Sequence, residues 1–150
     1  MKHYFIRTFV LFLFISSYSI AQTVVKNNSE LQSAISSATA GSEIILTNGV
    51  WNNVKIEINK NGTVSNPIRI KAETTNQVFI EGNSTIELGG SYIIFEGFVF
   101  QNASNLVVSN DRITSLITFR ASGNACNNCK VTNIKIDSYN GTSLQAEAVF

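Results

Sequence analysis

The sequence predicts an all-β chain wound as a right-handed parallel β-helix, and three observations carry that prediction. From Glu43 to Ile136 short aliphatic runs follow one another with no helical stretch between them, each closed by Gly, Asn or Ser. Several alternate at period two, as in Val54-Lys55-Ile56-Glu57-Ile58 and Ile68-Arg69-Ile70-Lys71-Ala72, which sets aliphatics on one face and charges on the other. Ile45, Ile70 and Phe95 recur about two dozen residues apart, as do Ile56 and Ile80, a spacing suited to solenoid coils. One coil of two or three strands cannot bury its aliphatic face alone, so neighbours must stack on it. An antiparallel sandwich would share the short strands, but two-residue hairpin signals between matched runs are scarce. The links vary from the single Gly97 to the stretch Asn102 to Asp111, which suits parallel coils whose corners bulge outward.

Taken in order, residues 1–21 read as a secretory leader. Lys2, His3 and Arg7 make a positive start, Phe9 to Ile15 an apolar core, and Ser19-Ile20-Ala21 a small-x-small cleavage site before Gln22. The apolar run is shorter than the ~20 residues that span a bilayer, so the mature chain is expected to be secreted or periplasmic with no membrane anchor. Ser29 to Ala38 then reads as a short helix, with Ser29 as N-cap, Leu31, Ala34, Ile35 and Ala38 on one face, and Gly41 ending it. Placed first, such a helix covers the apolar floor and open edge of the first coil.

The strand runs follow: Glu43 to Leu46, Val54 to Ile58, Ile68 to Ala72, Val78 to Glu81, Thr85 to Leu88, Tyr92 to Glu96, Phe98 to Phe100, Leu116 to Arg120 and Val131 to Asp137. Asn48-Gly49, Asn61-Gly62 and Asn140-Gly141 suit turns at positive φ. The last residues, Ala146 to Phe150, form an apolar run where another strand would begin. Residues 22–150 are therefore expected to be the N-terminal coils, about four to five, of a β-helix domain truncated at its C-terminal end.

Composition narrows the function. A net charge of +1 with 14% charged residues gives no field that would gather nucleic acid. A surface rich in Asn, Ser and Thr holds tight turns and hydrogen-bonds to hydroxylated ligands. An exported solenoid with such a surface points to work on a polysaccharide outside the cell.

The chemistry-bearing residues are sparse. Cys126-Asn127-Asn128-Cys129 holds the only cysteines, and the sole histidine, His3, lies in the leader, so a four-ligand zinc site is excluded. No βαβ setting supports a redox centre. A loop disulfide or two partly buried thiols remain. Glu43, Glu57, Glu73, Glu81, Glu87, Glu96, Asp111, Asp137 and Glu147 could hide a hydrolytic pair, which needs two carboxylates within roughly 5 to 10 Å. No Asp-Asp or Asp-x-Asp cluster marks one, and these residues read as solvated partners of aliphatic neighbours. The outward-phase Lys55, Arg69, Lys71, Lys130 and Lys135 read likewise. Arg112 and Arg120, in or after the long corner, stand slightly apart. No catalytic, cofactor-binding or metal-ligating residue is assigned.

Four stretches carry a family resemblance. Gly41 to Ile58 (GSEIILTNGVWNNVKIEI), Asn66 to Glu73 (NPIRIKAE), Val78 to Gly82 (VFIEG) and Leu88 to Phe100 (LGGSYIIFEGFVF) resemble the opening coils of polysaccharide lyase family 6. That family contains alginate lyases and chondroitinase B. Ile117 to Asn124 and Cys129 to Asn140 look more like the alginate lyase branch. The resemblance implies β-elimination on an acidic polysaccharide, with alginate first and chondroitin or dermatan sulfate second. It also implies calcium held by Asn and Glu side chains on successive coils, a lysine base and an assisting arginine. None of those groups matches a position in this sequence, so the chain by itself is expected to be inactive. A non-catalytic carbohydrate-binding or adhesin-like solenoid and a β-helix glycoside hydrolase are the alternatives.

Overall fold

A computed structural model describes residues 22–103 and 116–137 of the chain. The leader, Asp111, Arg112, Asn140-Gly141, Glu147 and the run ending at Phe150 lie outside these residues. The chain enters as β1 (Gln22–Val25) and α1 (Asn28–Ser37). A first full coil follows with β2 (Glu43–Leu46), β3 (Gly49–Asn52) and β4 (Lys55–Asn61), and a second with β5 (Ile68–Ala72), β6 (Val78–Glu81) and β7 (Thr85–Ser91). The third has β8 (Ile93–Glu96), β9 (Phe98–Phe100), β10 (Ile117–Thr118), and a hairpin of β11 (Arg120–Ala121) and β12 (Asn124–Asn127). A fourth begins with β13 (Lys130–Thr132) and β14 (Lys135–Ile136).

Strands in like positions pair in parallel, giving three walls. The first sheet runs β1-β2-β5-β8-β13 and the second β3-β6-β9-β14; in the third, β7 pairs with β4 on one edge and with β10 and β12 on the other. The fold is thus a parallel β-helix with one antiparallel hairpin among the described residues.

Alternation decides what goes inside. Ile44, Ile70 and Phe95 are consecutive partners in the first sheet, Trp51, Ile80 and Phe100 in the second, and Ile56 and Ile86 in the third. All are buried, and each fully buried aliphatic or Phe contributes about 1.5–3 kcal/mol. Phe95 stacks on Phe98 at 4.3 Å between ring centroids. The register corrects the recurrence expected from sequence. Ile45 falls opposite Lys71 on the outer face, and Ile44 is the residue facing Ile70. Ile56 faces Ile86, while Ile80 belongs to a different wall. Strands β1, β3 and β12 were not anticipated, because none carries a run of alternating aliphatics.

The abundant asparagines have a structural use at the corners. Non-glycine residues seldom adopt positive φ, and Asn does so most readily because its short amide bonds to the local backbone. Between first and second walls the left-handed positions are Asn76, Gly97 and Asn133, with φ of 63°, 92° and 54°. They are stacked coil on coil: Asn76 N–H donates to Gly97 O at 2.8 Å. Between second and third walls they are Asn53, Gly82 and Asn102, and Gly82 N–H donates to Asn102 O at 3.1 Å. Of the expected turn pairs, only Gly49 has positive φ among the described residues. Gly62 is needed for a different reason, since a Cβ there would lie 2.6 Å from Tyr92 O.

The helix covers the first coil with its apolar face, burying Leu31, Ala34 and Ile35. Its N-cap is Asn27 rather than Ser29: Asn27 Oδ1 accepts from Glu30 N–H at 2.9 Å, while a Glu30 carboxylate oxygen accepts from Lys26 N–H at 2.8 Å. This reciprocal arrangement works like a capping box and satisfies donors that Ser29 would leave open. Asn28 Nδ2 to Asn52 O, Gln32 Nε2 to Lys55 O and Lys60 Nζ to Ser36 O tie the helix to the first coil.

Candidate functional site

The outward positions of the walls hold the polar residues, and their partners separate bracing from a site. On the first wall, Lys71 Nζ lies 2.6 Å from Glu43 and Arg69 lies 3.3 Å from Glu96, two crossed ion pairs spanning three coils. Burial alone would raise the Glu43 pKa. Hydrogen bonds from Lys71 and Gln22, with the charges of Lys71 and Arg69, outweigh it and hold the carboxyl below its ordinary value. Glu73 accepts from Asn48 N–H, Glu81 from the Gln101 and Asn102 amides, and Asp137 pairs with Lys135. These carboxylates brace coils and corners.

Glu57 and Glu87 are different. They are register partners on β4 and β7, about 4.8 Å apart along the stack, with Thr118 the next partner of Glu87. The structure therefore juxtaposes two carboxylates that no local motif announced. The Ser122 hydroxyl donates to Glu57. Both glutamates stand on an open strand face, whereas hydrolysis needs a pair flanking a bound sugar.

Beyond them along the same face the third wall dips into a depression of about 560 Å³, lined by Asn59, Asn61, Gly90, Ser91, Asn124, Ala125 and Asn127. Asn61, Ser91 and Asn127 are consecutive register partners, one from each of three coils. Ser91 Oγ donates to Asn61 Oδ1 at 3.1 Å. Gly90, at φ 92°, lets β7 pass close to β4: a Cβ there would lie 2.1 Å from Lys60 O. On the far side, Gly89 lets Ala121 of the hairpin approach, which brings Asn124 and Ala125 to the rim. No ionisable side chain is in the lining. Amides and a hydroxyl that both donate and accept match the hydroxyls of a sugar.

Cys126 and Cys129 form a disulfide with Cα atoms 5.7 Å apart, closing the turn that follows Asn127. Asn128 within that turn takes φ 55°, and Asn127 O accepts from Tyr92 N–H at 2.9 Å. The bridge thus fixes the corner at the edge of the depression. Arg120 bonds Gly123 O of its own hairpin. Lys55 and Lys130 are exposed. Among the described residues no group of three or more His, Cys, Asp or Glu could hold a metal ion. No helix among them is long and apolar enough to cross a membrane.

The depression was missed in the sequence because its members are ordinary turn residues lying far apart in the chain. Only their register on adjacent coils makes them a set.

The family model for chondroitinase B matches residues 25–148. Among solved structures, a variant of the PL6 family alginate lyase AlyGC is similar with a TM-score of 0.71 and 28% identity, over 79% of this chain and 16% of that one. A PL6 family polysaccharide lyase from Pseudopedobacter saltans gives 0.67 and 31% identity over 83% of this chain and 26% of that one. A mannuronic acid specific family 6 lyase from human gut microbiota gives 0.68 at 19% identity, over 81% and 27%, a likeness of fold alone. The chain spans well under a third of the length of these lyases. No match is found among the curated proteins.

Proposed function

This chain belongs to the chondroitinase B family of polysaccharide lyases, and from that premise we propose that the intact protein is an exported lyase acting on uronate-containing polysaccharide by β-elimination. The observation that supports the reading is the family match across the coils, together with the lyase structures they resemble. Alginate is the proposed first substrate, after the alginate lyase AlyGC, and chondroitin or dermatan sulfate the second. Export rests on the leader-like residues 1–21.

In such an elimination a base takes the C5 proton beside the uronate carboxylate, the C4–O4 bond breaks, and its oxygen leaves with a proton from an acid. The product carries a C4=C5 double bond. We propose calcium for the intact protein, with its ligands outside the described coils, where no group of three or more His, Cys, Asp or Glu gathers, and we assign no step of the elimination to these coils. Their contribution is the stack of coils and its uncharged polar face.

The test is ultraviolet absorbance of the conjugated uronate when the full-length protein meets alginate, chondroitin sulfate or dermatan sulfate. Absorbance growth on one of them supports the lyase. Reducing ends released without a double bond would replace it with a hydrolase, and binding without cleavage with an adhesin-like solenoid.

A further inference from the structure

We propose that the depression on the third wall is a subsite for uncharged, hydroxyl-bearing sugar residues, distinct in preference from any site that handles uronates. The inference rests on the reading that the protein works on polysaccharide, but it concerns which sugars these coils take.

Geometry comes first. Asn61, Ser91 and Asn127 stand in register across three coils, each about 4.8 Å from the next. Their row runs along the stack for roughly 10 Å, the length of a short oligosaccharide. Asn59 lies two residues before Asn61 on the same strand face, and Asn124 on the hairpin. With Asn61 Oδ1 already accepting from Ser91, the Asn61 amide is oriented with its NH₂ left to donate. The volume, about 560 Å³, falls in the ~300–1,000 Å³ range of small-ligand sites.

Charge decides the class. A carboxylate or sulfate is held by cations or by several converging N–H groups. None of the lining side chains is a cation. Lys60, next in sequence, turns its amine to Ser36 O at 3.0 Å, and Arg120 turns its guanidinium to Gly123 O at 2.9 Å. Lys55 is two positions beyond Glu57, roughly 13 Å along the strand from Asn59 and past a Debye length of about 8 Å. Glu57 stands two residues from Asn59 on the same face, and Glu87 is its partner. The lining itself thus offers a uronate no cation, and Glu57 stands beside it on the same face, while its amides and hydroxyl suit a neutral sugar.

The experiment uses the ¹⁵N-labelled full chain titrated separately with mannotetraose, cellotetraose and oligomannuronate, following the side-chain amides of Asn59, Asn61, Asn124 and Asn127. A neutral tetrasaccharide is expected to shift these signals and oligomannuronate to leave them in place. The double variant Asn61→Asp, Asn127→Asp, both exposed positions, should weaken neutral binding about tenfold or more, the scale of one or two lost hydrogen bonds. Asn124→Ala on the exposed hairpin gives a second variant with the same expected direction. No shift with either neutral sugar, or equal shifts with oligomannuronate, would overturn the proposal. Absorbance of unsaturated product in a parallel assay reports on the lyase reading separately, so failure of one is not failure of the other.

Discussion

Three glycines around β7 separate two costs that a Cβ can impose, and substituting Ala at each gives a graded prediction. Gly123, at the hairpin tip, has φ 80° and nothing within 4 Å of an added Cβ, so Ala meets the left-handed penalty alone. That penalty is about 1–2 kcal/mol, offset by about 0.4–1 kcal/mol from a less flexible unfolded chain, for a net loss near 1 kcal/mol. Gly89 has no positive φ, but its Cβ would lie 2.9 Å from the Cβ, N and O of Ala121. The hairpin is an edge and can shift, so a loss of about 2 kcal/mol follows from strained packing. Gly90 combines both: φ 92° and a Cβ 2.1 Å from Lys60 O. That oxygen belongs to the β4 ladder, and moving it by about 1 Å disturbs one or two ladder bonds worth about 1 kcal/mol each, on top of the dihedral penalty. The total is about 2–4 kcal/mol. Urea unfolding of the full chain, followed by circular dichroism, gives the midpoints. Equal losses for Gly90→Ala and Gly123→Ala would refute the close-approach reasoning, because the two share their φ and differ in contact.

Removing the disulfide with Cys126→Ser, Cys129→Ser should cost only about 2 kcal/mol, because the closed loop is short; a loss above about 4 kcal/mol in the same unfolding assay would contradict this. Asn53→Gly should keep the corner dihedral yet lose the bond from Asn83 N–H to Asn53 Oδ1, costing about 1 kcal/mol, while Asn53→Ala adds the left-handed penalty and costs about 2–3 kcal/mol; the reverse order would count against the corner argument. Glu43, whose folded pKa lies below 4.5, contributes stability that is present above 4.5 and is lost as pH falls through the folded value. Lys71→Met removes the principal partner of Glu43, so the acid limb of the stability curve should move to higher pH; an unchanged limb in urea midpoints taken across pH would exclude this pairing as a contributor.

The sequence by itself determined what short-range physics controls. Period-two alternation in Val54 to Ile58 and Ile68 to Ala72 fixed which side chains face inward, because neighbouring residues on a strand point to opposite faces whatever the partner strand is. Apolar spacing likewise placed α1, and only its cap moved from Ser29 to Asn27, where Glu30 could reciprocate. The closeness of Cys126 and Cys129 kept a local bridge among the readings, and the structure holds it. Tertiary structure decided which coil meets which. Facing Ile56 with Ile86 rather than Ile80 depends on the lengths of the corners between walls, which vary because loops there bulge into solvent at little cost. The pairing of Glu57 with Glu87 and the row Asn61, Ser91 and Asn127 exist only through that register. Each of these residues would serve equally well as an isolated surface group, so no local pattern distinguishes it. Stacking at about 4.8 Å per coil is what turns scattered turn residues into one polar face.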